Sequence, residues 1–232
     1  MKVMICTCTW NNLEFTKEFI RSLSCIKSHF ELLIWDNGST DGTVEYLKHK
    51  PIFLAPFLKD YKYVLGNANF GLPIAWNYGL SMFEQSDCDV FMSCDNDTRL
   101  TSTINRLFKF AVEHPEFGLV CPNIMDRDTD VNFLEEIAET ITDINIDKLD
   151  VGGLNGPCRV ITKETLKRVG YYDNQFAFSF DDMDYHQRVL KAGMKTAVHY
   201  GSAIWHHNHA STDVNKESHN KIYYERFQKK HG

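Results

Sequence analysis

Apolar residues along the chain fall into two alternating periods. Val3, Met4, Ile5, Cys6 and Cys8 make a buried run of strand length over residues 2–9. Leu13, Phe15, Phe19, Ile20 and Leu23 then recur at helical spacing, after cap chemistry at Asn11-Asn12. The alternation repeats. A strand over 31–35 stops at Asp36-Asn37-Gly38, and Thr40-Asp41-Gly42-Thr43 opens a helix carrying Val44 and Leu47. A short strand over 63–65 precedes a helix over 71–83 with Leu72, Ala75, Leu80 and Phe83 apolar. A strand over 89–94 ends at Asp95-Asn96-Asp97. This order predicts an α/β fold with a mostly parallel central sheet and helices on both faces. Ligands of such sheets sit beyond the carboxyl ends of the strands. Three polar clusters, 9–12, 36–41 and 95–97, fall at such ends.

The second half is patterned less regularly. The spacing predicts a helix over 101–113, a strand over 118–121, and an acidic segment over 126–150 with a short helix around 133–140. The Gly-rich turn at 152–157 leads into a strand over 158–161, and Thr162 caps a short helix ending near Gly170. A helix over 181–192 is closed by Gly193. Short strands over 196–200 and 203–205 follow, then a polar helix over 215–230 with Ile222, Tyr223 and Phe227 on one side.

Composition narrows the class. With 43% hydrophobic and 24% charged residues in 232, the chain is ordinary globular material, enough for one large α/β domain. The formal net charge of −6 lacks the basic footprint of a nucleic-acid binder. A negative protein that binds a diphosphate commonly recruits a divalent cation. Of the seven cysteines, Cys6, Cys8, Cys94 and Cys121 sit in apolar runs and read as reduced core residues. The first strand begins directly after Met1, and no apolar run approaches the roughly 18 residues of a membrane span, so the expectation is a cytoplasmic protein.

Five constellations carry chemistry. Asp95-Asn96-Asp97 places two carboxylates where both can reach one hard cation, although Asp-Asn-Asp is also good turn material. Asp36-Asn37-Gly38-Ser39-Thr40-Asp41-Gly42 reads as a capped strand-to-helix turn or as a nucleobase clamp. Asn67-Ala68-Asn69-Phe70-Gly71 precedes a helix in which Asn77 and Gly79 go against propensity, as close approach by a ligand or strand would explain. Asp181, Asp182 and Asp184 crowd one helical turn; they suit the helix dipole, but adjacent carboxylates raise at least one pKa, which a general base needs. Trp205-His206-His207-Asn208-His209 offers a metal ligand or a surface histidine cluster.

Taken in order, V-x-I-x-T-x-T-W-N-N, D-N-G-S-T-D-G-T, N-x-N-x-G-x-x-x-A-W-N-x-G, D-N-D, G-G-x-N-G, F-D-D-x-D-Y-x-x-R and A-I-W-H resemble the family 2 inverting glycosyltransferases of GT-A fold, over residues 2 to about 209. The closing motifs are most similar to those of rhamnosyl- and galactofuranosyl-transferases. The resemblance implies a single GT-A domain over 1–232: a nucleotide-binding half (1–100), an acceptor and catalytic half (101–210) and a C-terminal helix (211–232). It implies transfer from a UDP- or dTDP-linked sugar to an acceptor hydroxyl, on a glycan or another hydroxyl acceptor, with Mn²⁺ or Mg²⁺ as cofactor. Thr9, Asn11, Asp36, Asn69, Asp95 and Asn96 would bind the donor nucleotide, Asp36 contacting the base. Asp95, Asp97 and His206 would hold the metal. Asp182 would be the catalytic base. Asp181, Gly153, Asn155 and Trp76 would contact acceptor or sugar, Trp76 being equally readable as a core aromatic. Asn96 leaves the metal motif one carboxylate short, and Asp181 stands where glutamate is commoner. The rivals are a catalytically silent nucleotide-sugar or glycan binding module of the same fold and a nucleotidyltransferase; the stretch 7–12 has neither glycine nor lysine for the latter's phosphate loop. Lys221, Arg226, Lys229 and Lys230 beside Tyr223, Tyr224 and Phe227 offer membrane contact, with a solvated helix the plainer reading.

Overall fold

The computed structural model describes residues 1–49, 55–125, 149–154, 156–207 and 216–232. The alternation seen in sequence becomes strand β1 (Lys2–Thr9), helix α1 (Leu13–Ser22), β2 (His29–Asp36), α2 (Thr43–Lys48), β3 (Leu58–Leu65), α3 (Leu72–Gln85) and β4 (Val90–Asp95). Strands β3, β2, β1 and β4 lie side by side and parallel. Alternate residues of β1 divide between two cores. Val3 and Ile5 pack with Phe19 and Ile20 of α1 and with Leu23 just after it, while Met4, Cys6 and Cys8 pack with Ala75, Trp76, Leu80 and Phe83 of α3. Both faces are therefore covered, as a parallel sheet requires. Burying a side chain such as Phe19 or Leu23 contributes roughly 1.5–3 kcal/mol.

Two details of this half resolve the oddities of α3. A Cβ on Gly79 would meet Cys6 Sγ and a ring carbon of Phe91, each at 2.9 Å, so the glycine lets the helix lie on β1 and β4. Asn77 Nδ2 donates to the carbonyl of Tyr172 at 2.9 Å, and its Oδ1 accepts from the Tyr172 N–H at 2.7 Å. A neighbouring strand and a neighbouring loop, not a ligand, account for both residues.

The second half contains β5 (Thr98–Leu100), α4 (Ile104–Glu113), β6 (Phe117–Met125), β7 (Leu149–Val151), β8 (Cys158–Thr162), α5 (Lys163–Val169), α6 (Asp181–Lys191), β9 (Lys195–His206) and α7 (Lys216–His231). These strands extend the same sheet in the order β4-β8-β6-β9-β5, with β7 also on β9. Here the pairing is mixed: β8 runs antiparallel to β4 and β6, β5 and β7 run antiparallel to β9, and β6 is parallel to β9. A buried apolar run reads alike in either direction, so the sequence pattern carries no signal for that reversal. The two short strands expected at 196–200 and 203–205 are one strand, whose register against β6 shifts between Pro122 and Asn123 so that the Gly201-Ser202 region bulges without breaking it. Strands β5 and β7, three residues each, are too short to show a period.

Thr162 caps α5 as expected, accepting from the Thr165 N–H. The cap of α1 differs from expectation: the Leu13 N–H donates to Asp41 Oδ2 at 2.9 Å, so the loop after β2 supplies it. The expected helix near 133–140, most of the acidic segment 126–150, Asn155, Asn208 and His209 lie outside the described residues. Among the described residues, no helix is long and apolar enough to cross a membrane.

Candidate active site

Parallel pairing aligns Thr9 with Asp36 and Cys8 with Asp95 at one edge of the sheet. Past Asp95 the chain turns through Asn96-Asp97 into β5, which lies antiparallel on β9 with Thr98 opposite His206. That pairing brings the histidine to the aspartates. His206 Nε2 stands 3.2 Å from Asp97 Oδ1, and one ligand atom from each of Asp95, Asp97 and His206 fits within 4.8 Å of the others.

The electrostatics of this trio are unbalanced. Burial, and next the charge of Asp97, push the Asp95 carboxyl up to about 8, with Arg159 and His206 pulling the other way. Asp95 Oδ1 is buried without a hydrogen-bond partner. For His206, burial works against the charged ring, but the hydrogen bond to Asp97 and the charges of Asp97 and Asp95 prevail and raise its pKa. An orphaned carboxylate oxygen, a second carboxylate and an imidazole are the donor set of a divalent cation of the Mn²⁺ or Mg²⁺ kind, and the residues present fit one. Asn96, expected at the nucleotide, points elsewhere: 8% exposed, it donates through Nδ2 to Thr16 Oγ1 on α1 at 2.9 Å. The middle residue of the D-x-D turn is thus a strut, so the missing carboxylate there costs the cluster no ligand.

Other donor-side expectations are redistributed. Asp36 is 1% exposed, and its carboxylate accepts from Thr9 Oγ1 (2.9 Å), Gly38 N (2.9 Å) and Ser39 N (2.8 Å). With Thr9 fully buried too, this pair shapes the loop after β2 instead of presenting its side chains to a base. Asn11, at φ 57°, accepts from the Thr40 N–H at 2.8 Å, and its own N–H donates to Ser39 Oγ. Asn69 Oδ1 accepts from Asn37 Nδ2 and the Gly71 N–H. Asn11 and Asn69 remain partly accessible beside the edge.

The paired acids open α6 and take different environments. Asp181 is 7% exposed, and its Oδ2 lies 3.2 Å from Arg159 Nη1. Burial pushes Asp181 up to about 6 against the pull of Arg159, and the charge of Asp182 adds to the rise. Placed at the acceptor by sequence, Asp181 is instead half of a buried ion pair. Asp182 is partly exposed, and its Oδ1 accepts from the Met183 N–H at 2.8 Å. Trp76 is corrected as well: it is 0% exposed, with the Arg159 guanidinium 5.8 Å from its ring centre, and no sugar can reach it. Sequence reasoning missed Arg159. Its signal was one arginine inside the apolar run of β8, where burial demands a partner. Its guanidinium also lies 5.3 Å from the Tyr172 ring, and its charge acts on Asp181, Asp182 and Asp95 together.

The Gly-rich turn ahead of β8 touches this region at two points. A Cβ on Gly153 would meet Asp150 Oδ2 at 2.6 Å, and one on Gly156 would meet Asp182 Oδ2 at 2.7 Å. The backbone of Gly156 lies outside the left-handed region, so Gly156→Ala should leave stability unchanged or raise it by up to about 1 kcal/mol. The new methyl should instead turn the Asp182 carboxylate away from its present position. Thermal denaturation beside a crystal structure of the variant checks both halves of this expectation.

A second trio, Glu31, Asp87 and Cys88, lies at the opposite sheet edge, where the Lys2 ammonium already pairs with Asp87.

A sequence model described as Glycosyl transferase family 2 matches residues 4–170. The match includes Asp95 and Asp97 and stops short of Asp182 and His206. No curated protein matches the chain significantly. Among solved structures, the chain is similar to S. aureus TarS 1-349, with TM-score 0.64 and 14% identity over 89% of this chain and 60% of that one. The same protein in complex with UDP gives TM-score 0.63 and 16% identity over 88% and 60%. The mannosyltransferase PcManGT from Pyrobaculum calidifontis, in complex with GDP-Man and Mn²⁺, gives TM-score 0.63 and 16% identity over 90% and 58%. The chain thus spans about 60% of the length of these proteins.

Proposed function

Because the chain belongs to glycosyl transferase family 2, we propose that it transfers a sugar from a nucleoside diphosphate sugar to an acceptor hydroxyl, with inversion and with a divalent cation at Asp95, Asp97 and His206. The observation that carries this reading is the convergence of those three side chains, with an orphaned carboxylate oxygen, at the edge where the parallel strands end. Complexes of similar folds point the same way, one holding UDP and one holding GDP-Man with Mn²⁺.

In this scheme Asp182 takes the proton of the acceptor hydroxyl as its oxygen attacks the anomeric carbon. The bond from that carbon to the nucleoside diphosphate breaks in the same displacement, and the departing diphosphate keeps the electron pair. A cation bound at the trio would supply positive charge to the donor diphosphate. Arg159 holds Asp181 and, through it, the first turn of α6 that carries Asp182. Asn11 and Asn69 line the donor side, and Gly153 and Gly156 leave room beside Asp150 and Asp182.

Titrating UDP, dTDP and GDP into the protein by calorimetry, each with Mn²⁺ and with EDTA, tests the reading. One nucleotide should bind with Mn²⁺ and at least about tenfold more weakly in EDTA. Equal binding with and without metal would remove the cation from the scheme. No binding of any of the three would remove the donor class.

A further inference from the structure

Outside the trio, an open cleft of about 510 Å³ lies between the start of α6 and helix α7. Its volume lies within the roughly 300–1,000 Å³ of small-molecule sites. Phe180, Met183 and Tyr224 give it an apolar surface, Asn220 and Lys221 give it hydrogen-bond donors, and Asp182 stands in its wall. Tyr224 is 51% exposed and Met183 41%, so both present accessible apolar surface to the cleft.

The α7 wall is fixed in place. Lys230 Nζ (2.7 Å) and His231 Nε2 (2.8 Å) both reach Asp184 Oδ1, and Arg188 Nε holds Oδ2 of the same buried carboxylate at 2.9 Å. Lys230 also meets Asp173 at 2.7 Å, and Arg226 Nη1 donates to the Gln175 carbonyl at 2.7 Å. The Phe180 ring lies 6.1 Å from Tyr224 and 5.6 Å from Phe227, centre to centre. These contacts hold Phe180 at φ 66°, a left-handed conformation that a bulky side chain adopts only when its surroundings impose it. Helix α7 therefore sets both the far wall of the cleft and the backbone that aims the adjacent Asp182.

We propose that this cleft is the acceptor subsite and that it takes a pyranoside, whose C–H face lies on Tyr224 and whose hydroxyl edge meets Asn220, Lys221 and Asp182. A sugar ring has one apolar face and a rim of hydroxyls, and this lining matches both. An aliphatic chain would make no use of the three polar side chains, and a free anion would stand against the Asp182 carboxylate. The assignment of the hydroxyl at Asp182 as the attacking group rests on the transferase reading; the binding of a sugar at Tyr224 does not.

The test uses the full chain with Mn²⁺ and the nucleotide that binds in calorimetry, or without nucleotide if none binds. Methyl α- and β-pyranosides of glucose, galactose, mannose and rhamnose are the probes, followed by saturation-transfer NMR. At least one glycoside should receive saturation, strongest on the ring protons of one face. Tyr224→Ala should weaken that binding about tenfold and Tyr224→Phe, which keeps the ring, less than about threefold, with nucleotide affinity unchanged in both. Equal glycoside binding by wild type and Tyr224→Ala, or no glycoside bound by the nucleotide-loaded wild type, overturns the subsite. Glycoside binding that depends on Tyr224 in a protein that binds no nucleotide supports the subsite and overturns the transferase reading instead.

Discussion

Asp182→Asn should lower the rate of sugar transfer by roughly 10²–10⁴-fold, the range contributed by a positioned general base, while nucleotide affinity and thermal stability stay within experimental error of wild type. The amide keeps the hydrogen bond that the carboxylate accepts, among the described residues, from the Met183 N–H, so the loss falls on proton abstraction. The neighbouring acid gives the opposite signature. Asp181→Ala leaves the Arg159 guanidinium buried without its carboxylate, and breaking such a pair costs roughly 3–5 kcal/mol. Measured side by side, the two substitutions separate chemistry from scaffolding within one helical turn. Full turnover in the folded Asp182→Asn protein would move the base elsewhere. Equal destabilisation by both substitutions would mean that Asp182 is structural too.

Asp97→Asn should abolish metal binding at the trio, with an affinity for Mn²⁺ at least about 100-fold below wild type by calorimetry or by the electron paramagnetic resonance of the free ion. Altering a supporting partner of a ligand already costs about 10–100-fold, and Asp97 is both a ligand candidate and the group that orients His206. Its backbone carbonyl separately accepts from the His207 N–H at 3.0 Å, so the turn itself survives the substitution. Nucleotide affinity measured with Mn²⁺ should fall to the value found for wild type in EDTA. Unchanged Mn²⁺ binding would place the cation outside the trio.

Much of this was legible in sequence, for identifiable reasons. The first half obeys simple periodicity because β1, β2 and β4 are largely buried and joined by helices, whereas the edge strand β3, with no buried residue, shows only residues 63–65 of its eight. Asp95, Asp97 and His206 are singled out by their likeness to the family's D-x-D and W-H motifs, since turn chemistry and a surface histidine cluster explain the residues equally well, and the fold brings the three together. Directions of individual side chains were not legible. Thr9, Asp36 and Asn96 carry donor-site chemistry by type, yet each turns inward to bond a neighbouring segment, a choice made by tertiary contacts with Asp36, the loop at Gly38-Ser39 and Thr16 respectively. Trp76 illustrates the same limit: an aromatic in a motif reads as a stacking platform until the helix carrying it is seen to face the sheet. Arg159 was hidden because a lone charge in an apolar run has no meaning until its partner is known.

The pairing of β5 with β9 has a consequence for how the protein is made. Asp95 and Asp97 leave the ribosome early, while His206 closes the last strand of the sheet, and only the seating of that strand brings the imidazole to the carboxylates. Pairing across so long a sequence separation carries a large loop-closure entropy and is intrinsically slow. A nascent chain that has finished its parallel half therefore holds two oxygen donors and no nitrogen. The full donor trio exists only once β9 is seated against β5, so the cluster reports on the seating of that strand.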